Sequence, residues 1–543
     1  MNPKRWVLNG AWALATIATL VAAPAYAQFY EDARRDLDLG PDAISRSPRM
    51  LGMGRLSLVL DDVHLRLDIW EFSQNPAGLY ELDSTSSLEF YPGTTARSNV
   101  HDEPAGAGTR VRQDAALREF RNGYETWRRS KGGTAFGVIG EFDRMRFDSP
   151  RAGETEVRSQ FSMPRTSLVF AGKMPLILPD RLRYGFAFTH RYESRQDETR
   201  LVVANAAGTF IDKDGTTLPT PESLSPSEYG IRSVGARFGM LLKATSWLNL
   251  AGGYDYLGNA IEGRNDAVRN TDEIREDRPY GTFSASAAGR LARHLAFVGD
   301  ASRWSTGQTD QRWVASFSTG SGQPPVAGRG LFQRREENGH EYRGRFNWTQ
   351  NALTLSAGGS SFRREVATRV PPVGDITSFN YFMNQLSGRP GADSLSLPDS
   401  LRSNTTTEEG SEYGVGAALR LPWRSAIAGA EYHASRTAFD QLLSGAVGAR
   451  KTREFHGGLE LPVNAVLQVR GGYIHRWLDT DDELDMTEYV AQAVTGGFSY
   501  MPARSSWAFD AGYEVRWGRA DFGDPTRIRS SEQAGSCRLR WVF

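Results

Sequence analysis

The 543-residue chain has a single cysteine, Cys537, and no long apolar run beyond residues 11–23. One cysteine excludes a disulfide within the chain, so burial and hydrogen bonding must hold the fold together. A membrane-spanning helix needs about 20 mainly apolar residues, and nothing after residue 27 approaches that length. The mean hydropathy of −0.47 lies in the range of water-soluble chains.

An excess of charge of one sign is also missing. The 64 Lys and Arg residues balance the 64 Asp and Glu residues, so there is no basic footprint for nucleic acid. The chain further lacks a Gly-x-Ser-x-Gly elbow, a His-Glu-x-x-His pair and a glycine loop that cradles phosphate. We therefore expect no enzyme activity, no metal site, no cofactor and no nucleic-acid partner.

Residues 1–27 have the pattern of a secretory signal peptide. Lys4 and Arg5 precede the apolar stretch 11–23, and the small residues of 25–27 suit a cleavage site. An uncleaved membrane anchor is the alternative, but its apolar stretch would be short for a full span. We expect cleavage after residue 27 and no lipid anchor, because no cysteine follows the cleavage site.

Glycine, aromatic residues and period-two alternation are what the sequence does contain. There are 56 Gly, 19 Tyr and 13 Trp residues. In 505–518, Trp507 and Tyr513 fall on one face of an extended strand, and Asp510 and Glu514 fall on the other. The same alternation recurs in 181–192, 340–348 and 452–461. Segments of about ten residues with one apolar and one charged face are typical of transmembrane β-barrels, although half-buried strands of soluble sheets alternate too.

The lengths of the connections favour the barrel. Aromatic residues also crowd the ends of the apolar faces, as membrane interfaces require. Tight links are predicted near 243–246, 291–294, 349–352, 421–424, 461–464 and 501–505. Long polar loops are predicted between them, near 193–230, 258–279, 304–340, 364–411, 435–452, 476–488 and 518–533. The sequence therefore predicts an all-β fold: a transmembrane antiparallel β-barrel of about 18 strands (range 14–18) over residues 84–543, in the bacterial outer membrane.

The chain ends on an aromatic residue at the end of an alternating strand. Trp541 and Phe543 share the apolar face of this strand. The ending resembles the signal that outer-membrane barrels present to the barrel-assembly machinery, which is therefore an expected partner, as are outer-membrane lipid and lipopolysaccharide.

The segment 28–83 does not alternate like a barrel strand. It contains Gly52, Met53 and Gly54, the pair Asp61 and Asp62, and the run Asn75, Pro76, Ala77, Gly78 and Leu79. These residues resemble the N-terminal region of the FadL-like family of hydrophobic-compound transporters and its secretion-associated relatives. The resemblance implies a plug or hatch inside a barrel that moves small solutes. The alternative for Asn75–Leu79 is a simple turn in which Pro76 fixes the backbone.

Charged residues dominate the faces predicted to line the lumen. They form either a mutually neutralising network or a polar conduit that attracts anions. The candidates are Arg181, Arg183, Arg343, Arg345, Arg470, Asp510, Glu514, Arg516, Arg538 and Arg540. Three functions stay open: passive uptake of small hydrophobic or amphipathic solutes, an arginine-lined porin for polar solutes, and a scaffold or secretion-associated barrel that moves no solute.

Overall fold

The structure is a computed structural model that describes most of the chain from Ser47 onward. The described residues are 47–60, 75–81, 86–105, 109–130, 133–150, 155–174, 181–201, 203–204, 210–211, 217–218, 223–267, 270–317, 326–369, 403–423, 425–441, 446–481, 486–522 and 527–543. The predicted signal peptide, Asp61 and Asp62 lie outside the described residues.

One α-helix, a 3₁₀ helix and 18 barrel strands account for nearly all of this structure. Helix α1 spans Pro48–Gly52 and the 3₁₀ helix spans Pro76–Glu81. The strands of the first half are β1 (Ser86–Phe90 and Gly93–Ala105), β2 (Thr109–Arg129), β3 (Thr134–Pro150), β4 (Thr155–Lys173), β5 (Leu182–Leu201), β6 (Ser223–Lys243), β7 (Leu248–Ala267), β8 (Asn270–Asp277 and Tyr280–Ala292) and β9 (Leu295–Phe317).

The second half continues the same up-and-down order. Its strands are β10 (Val326–Gln350), β11 (Leu353–Arg369), β12 (Ser403–Arg420), β13 (Ile427–Gln441), β14 (Ala446–Pro462), β15 (Leu467–Asp481), β16 (Met486–Tyr500), β17 (Trp507–Phe522) and β18 (Arg527–Val542). Three two-residue strands between β5 and β6, Val203–Ala204, Phe210–Ile211 and Thr217–Leu218, form a small separate sheet.

Each barrel strand pairs antiparallel with the next, and the sheet closes on itself. The closing pair is β1 with β18, where Leu88 lies opposite Trp541. Closure leaves no described barrel strand at a free edge of the sheet, as lipid demands. The predicted antiparallel barrel of about 18 strands is confirmed. Among the described residues, no helix is long and apolar enough to cross a membrane.

Two strands are interrupted at prolines. Pro92 separates the two parts of β1, and Pro279 separates the two parts of β8. Proline has no N–H to donate to the ladder, so pairing stops at these points and resumes one or two residues later.

The two faces of the wall are chemically opposite. On β17, Tyr513 and Trp517 point outward and are 48% and 46% exposed, whereas Glu514 and Arg516 point inward and are 1% and 3% exposed. A row of outward aromatic residues also crosses six neighbouring strands: Phe136, Phe170, Phe186, Phe238, Tyr254 and Phe283. An apolar outer surface around a charged interior is the arrangement of a barrel in the bacterial outer membrane.

The strands extend far beyond the predicted ten-residue segments. The prediction placed a loop at 304–340, but β9 continues to Phe317 and β10 already begins at Val326. Most of 258–279, 435–452, 476–488 and 518–533 is likewise strand, so those loop predictions were wrong. Outside the membrane both faces of a strand meet water, so the apolar-polar alternation disappears while backbone pairing continues.

Candidate functional site inside the barrel

Two stretches of the N-terminal segment lie inside the barrel. Residues 47–60 contact the inward faces of β10 to β18, and residues 75–81 contact those of β3 to β6. Their partners in the wall, such as Glu460 and Glu514, belong to the buried, charged face. The segment therefore occupies part of the lumen.

Helix α1 and the turn after it orient the chain so that it runs along the inner surface of the wall. Ser47 caps it by accepting a hydrogen bond from the Met50 N–H at 3.3 Å, and Pro48 occupies the first turn, where no N–H is needed. After the helix, Gly54 and Arg55 have φ angles of 69° and 59°. This left-handed conformation is uncommon for arginine, and two hydrogen bonds from Arg55 to Glu514, at 2.7 and 3.3 Å, hold it. Residues 55–60 consequently run sideways across the strands.

Each strand that the segment crosses supplies an inward-facing glycine at the crossing point. On β15, β14 and β13, Gly472, Gly458 and Gly429 lie directly opposite one another. We call the whole set the glycine track: Gly512, Gly497, Gly472, Gly458, Gly429, Gly416, Gly414 and Gly358.

The absence of a Cβ atom is what lets the segment approach the wall along the glycine track. A Cβ on Gly472 would overlap the backbone nitrogen of Gly54, and one on Gly458 would overlap the carbonyl oxygen of Met53. On Gly429 it would lie 2.9 Å from Leu56 Cδ1. Backbone atoms cannot move aside as a flexible side chain can, so the glycine track fits this segment specifically.

Polar contacts fasten the segment at several points. Arg49 donates two hydrogen bonds to Glu460, at 2.8 and 2.9 Å. The Gly54 N–H donates to Thr495 Oγ1 at 2.9 Å, and the carbonyl of Gly54 lies 2.8 Å from His456 Nδ1. The two contacts of Gly54 satisfy backbone groups that the segment, having no strand partner of its own, would otherwise leave unpaired.

Glu431 on β13 holds the last part of the segment. Its carboxylate accepts hydrogen bonds from three successive backbone N–H groups, those of Ser57, Leu58 and Val59, at 2.9, 2.7 and 2.8 Å. His433 lies 2.9 Å from the same carboxylate. Glu431 is only 1% exposed, and a buried carboxylate requires such partners.

Apolar packing completes the docking of both stretches. Met53, Leu56, Val59 and Leu60 form a buried cluster with Ala418 of the wall. In the other stretch, Leu79 packs among inward-facing Trp127, Ile139 and Val169. Burying a large apolar side chain contributes about 1.5–3 kcal/mol, so these clusters stabilise the docked position substantially.

The residues that carried the family resemblance lie where the segment meets the wall. Gly52 lies against Gly497, and Gly54 forms the turn described above. Asn75 donates from Nδ2 to the carbonyl of Met240 at 3.2 Å, and Pro76 packs on Gly185. The Gly78 N–H donates to the carbonyl of Asn75 at 2.9 Å.

Most of the predicted lumen charges are paired with one another or with the segment. Arg470 binds Glu460 at 2.7 Å and Asp510 at 3.3 Å, and Arg516 binds Glu514 at 2.5 Å. Arg538 and Arg540 both bind Glu89 of β1.

The remaining predicted charges have more varied positions. Arg343 pairs with Glu341 and is 57% exposed, whereas Arg345 donates to the carbonyl of Ser57 at 3.1 Å. Arg183 is buried on the inward face of β5. Arg181 lies in the turn before β5 and is exposed, so it is not part of the strand face on which the alternation placed it.

The tight turns of the barrel, such as the one between Tyr500 and Trp507, mark its periplasmic end, because outer-membrane barrels have short periplasmic turns. A cavity of about 510 Å³ lies at this end of the lumen, beside helix α1. Its lining combines the charged side chains of Arg49, Glu460, Arg470, Asp510, Arg538 and Arg540 with apolar groups that include Ala508, Met501 and Val542. The cavity can therefore accommodate both an ionic group and an apolar group.

At the end of the chain, Trp541 and Phe543 point outward. They are 50% and 66% exposed, and the N–H of Phe543 donates to the carbonyl of Ser86 at 3.4 Å. Neither side chain contributes to the lumen.

The sequence interpretation missed the glycine track and the anchors Glu431, Glu460 and His456. One signal was available, because glycines recur on the inward faces of consecutive strands, as at Gly458 and Gly472. Their meaning depends on strand register, which places them side by side under the segment.

Comparisons with known proteins match the fold only distantly. No protein-family model matches the chain, and no curated protein matches it. The toluene transporter TbuX of Ralstonia pickettii is similar over 92% of this chain and 98% of that chain, at 14% identity and a TM-score of 0.37. A FadL homologue of Pseudomonas aeruginosa is similar over 92% and 99%, at 11% identity and a TM-score of 0.38.

A protein with a different description has a TM-score at least as high as these two. The ferric yersiniabactin uptake receptor FyuA of Yersinia pestis is similar over 85% of this chain and 80% of that chain, at 8% identity and a TM-score of 0.41. At TM-scores this low no substrate is assigned by likeness, and the barrel is assigned from the strand pairing of this chain itself.

Proposed function

We propose that this protein is an outer-membrane channel for passive uptake of small hydrophobic or amphipathic solutes, closed by the segment 47–60. The observation that carries the proposal is the docking of this segment on the glycine track. A segment that merely lay in the lumen without closing it would not need a matching row of glycines on seven neighbouring strands. Its displacement would open the lumen without any cofactor or energy input.

The charge arrangement favours this solute class over polar solutes. A porin selects ions through charged side chains that face the pore unneutralised. Here Arg470, Arg516 and Arg538 are each ion-paired within the wall. The cavity at the periplasmic end, which joins arginines to Met501 and Val542, suits an apolar solute that carries an anionic group.

The test compares two kinds of solute in vesicles that contain the purified full-length barrel. We expect uptake of a labelled medium-chain fatty acid well above that of protein-free vesicles, and little swelling in isotonic sugar. Rapid swelling in sugars without fatty-acid uptake would establish a porin instead. No movement of either solute, together with a stable protein partner in a pull-down from outer membranes, would support a scaffold and contradict the proposal.

A further inference from the structure

Basic side chains project from the outer face of the barrel on one side. Arg303 lies directly opposite the outward Phe283, which is 67% exposed, and Arg453 lies directly opposite Trp477. We call the following residues of β9–β11 and β13–β14 the outer basic band: Arg303, His340, Arg363, Arg436, Lys451 and Arg453. All except the half-buried His340 are exposed.

The outer basic band has a defined height. Its members lie 8 to 11 residues along their strands from the periplasmic turns, from Arg303 (295 to 303) to Lys451 (462 to 451). A strand needs about 9–11 residues to cross the membrane. The outer basic band is therefore level with the headgroups of the outer leaflet.

Basic side chains face one another within the outer basic band. The imidazole of His340 lies directly opposite both Arg303 and Arg363, and the two cations Arg436 and Lys451 lie directly opposite each other. Like charges in directly opposite positions destabilise a sheet unless something neutralises them.

The surrounding protein neutralises only part of this charge. Arg363 pairs with Glu409 at 3.0 Å, with both side chains about half exposed, and Asp479 of β15 lies directly opposite Lys451. Within the part of the chain that the structure describes, Arg303, Arg436 and Arg453 have no ion pair. The lumen is different, because its arginines are matched by carboxylates, as Arg516 is by Glu514.

We infer that the outer basic band binds the phosphate groups of lipopolysaccharide in the outer leaflet. Guanidinium groups form paired, charge-assisted hydrogen bonds with phosphate, and a phosphorylated lipid at this height would neutralise the facing cations. Charge complementarity and height together select a membrane lipid over a soluble partner. The inference depends on the position of the barrel in the membrane and not on the solute that it moves.

The test uses two matched double variants of the full-length barrel in detergent. The first, Arg303→Gln with Arg363→Gln, removes two arginines from the outer basic band. The control, Arg334→Gln with Arg369→Gln, removes two outward arginines from β10 and β11 at a greater distance from the periplasmic turns. The two double variants match in one more respect: each removes one arginine that has a carboxylate partner, Arg363 with Glu409 and Arg334 with Asp310 at 3.2 Å. The single change Arg363→Gln serves if the first double variant folds poorly.

Binding of lipopolysaccharide is measured from the rise in thermal unfolding temperature during titration. We expect the wild type and the control to bind equally, and the band variant to bind about tenfold more weakly, because a hydrogen bond to a charged group is worth at least that factor. Dephosphorylated lipopolysaccharide should give little rise with any of the proteins. Equal binding by the band variant and the control would overturn the inference, as would an undiminished rise with the dephosphorylated lipid or an equal rise with inorganic phosphate alone.

Discussion

Along the glycine track, backbone atoms of the segment lie in direct contact with the backbone of the wall. The N–H of Gly54 and the carbonyl of Met53 face Gly472 and Gly458, and neither can move without displacing the residues on both sides of it. We therefore expect Gly472→Ala to push the segment from its seat and to raise the single-channel conductance in planar bilayers. The barrel should still fold, because alanine is tolerated in an extended strand.

The neighbouring glycine provides the control for this substitution. Gly471 faces outward, and the nearest atom to an added Cβ is the carbonyl oxygen of Thr495 at 3.9 Å, an ordinary contact. Gly471→Ala should conduct like the wild type. If the two variants conduct alike, contact along the glycine track does not keep the lumen closed.

Glu431 provides a second test at the scale of single residues. Glu431→Gln would direct amide hydrogens at N–H donors of residues 57–59, and it would lose charge-assisted hydrogen bonds worth about 1.5–3 kcal/mol each. We expect faster proteolysis within 47–60 in the folded barrel. Glu412→Gln is the control, because Glu412 is 54% exposed and lies 3.6 Å from His433. Equal cleavage rates in the two variants would mean that Glu431 does not anchor the segment.

At the scale of a strand, the alternation of faces on β8 has a measurable consequence. Ala287 lies opposite the outward Leu250, whereas its neighbour Ser286 lies opposite Asp300 of the lumen. Arginine facing lipid near the bilayer midplane costs about 2–4 kcal/mol. We expect Ala287→Arg to lower the free energy of unfolding in lipid vesicles by about this amount and Ser286→Arg to change it little. Equal losses of unfolding free energy in the two variants would show that Ala287 does not face lipid.

The last strand carries the predicted assembly signal. Trp541 and Phe543 point away from the lumen, so deletion of Phe543 should lower the yield of folded, heat-modifiable barrel in outer membranes. The conductance of the molecules that do fold should not change. An unchanged yield of folded barrel would show that Phe543 is not needed for assembly.

At the scale of the whole molecule, the sequence predicts the wall better than its contents. Inside the membrane, lipid and lumen impose opposite chemistry on alternate residues, so faces such as that of Tyr513 and that of Glu514 could be predicted correctly. Beyond the membrane this contrast ends, and strands such as β10 continued through segments predicted as loops. The position at which residues 47–60 dock depends on the register of seven strands relative to one another. The sequence of any one segment does not contain this information.

The proposed function rests on one physical claim, that the N-terminal segment blocks the lumen. The most direct measurement is single-channel conductance in planar bilayers for three proteins: the chain from residue 28, the chain lacking 28–80, and a control lacking 28–46 that keeps Ser47 and all that follows. The first strand begins at Ser86, so both deletions leave the barrel strands intact. We expect low conductance from the intact chain and the control, and a larger, less selective conductance from the chain lacking 28–80. A folded barrel without 28–80 that conducts no more than the intact chain would contradict the claim.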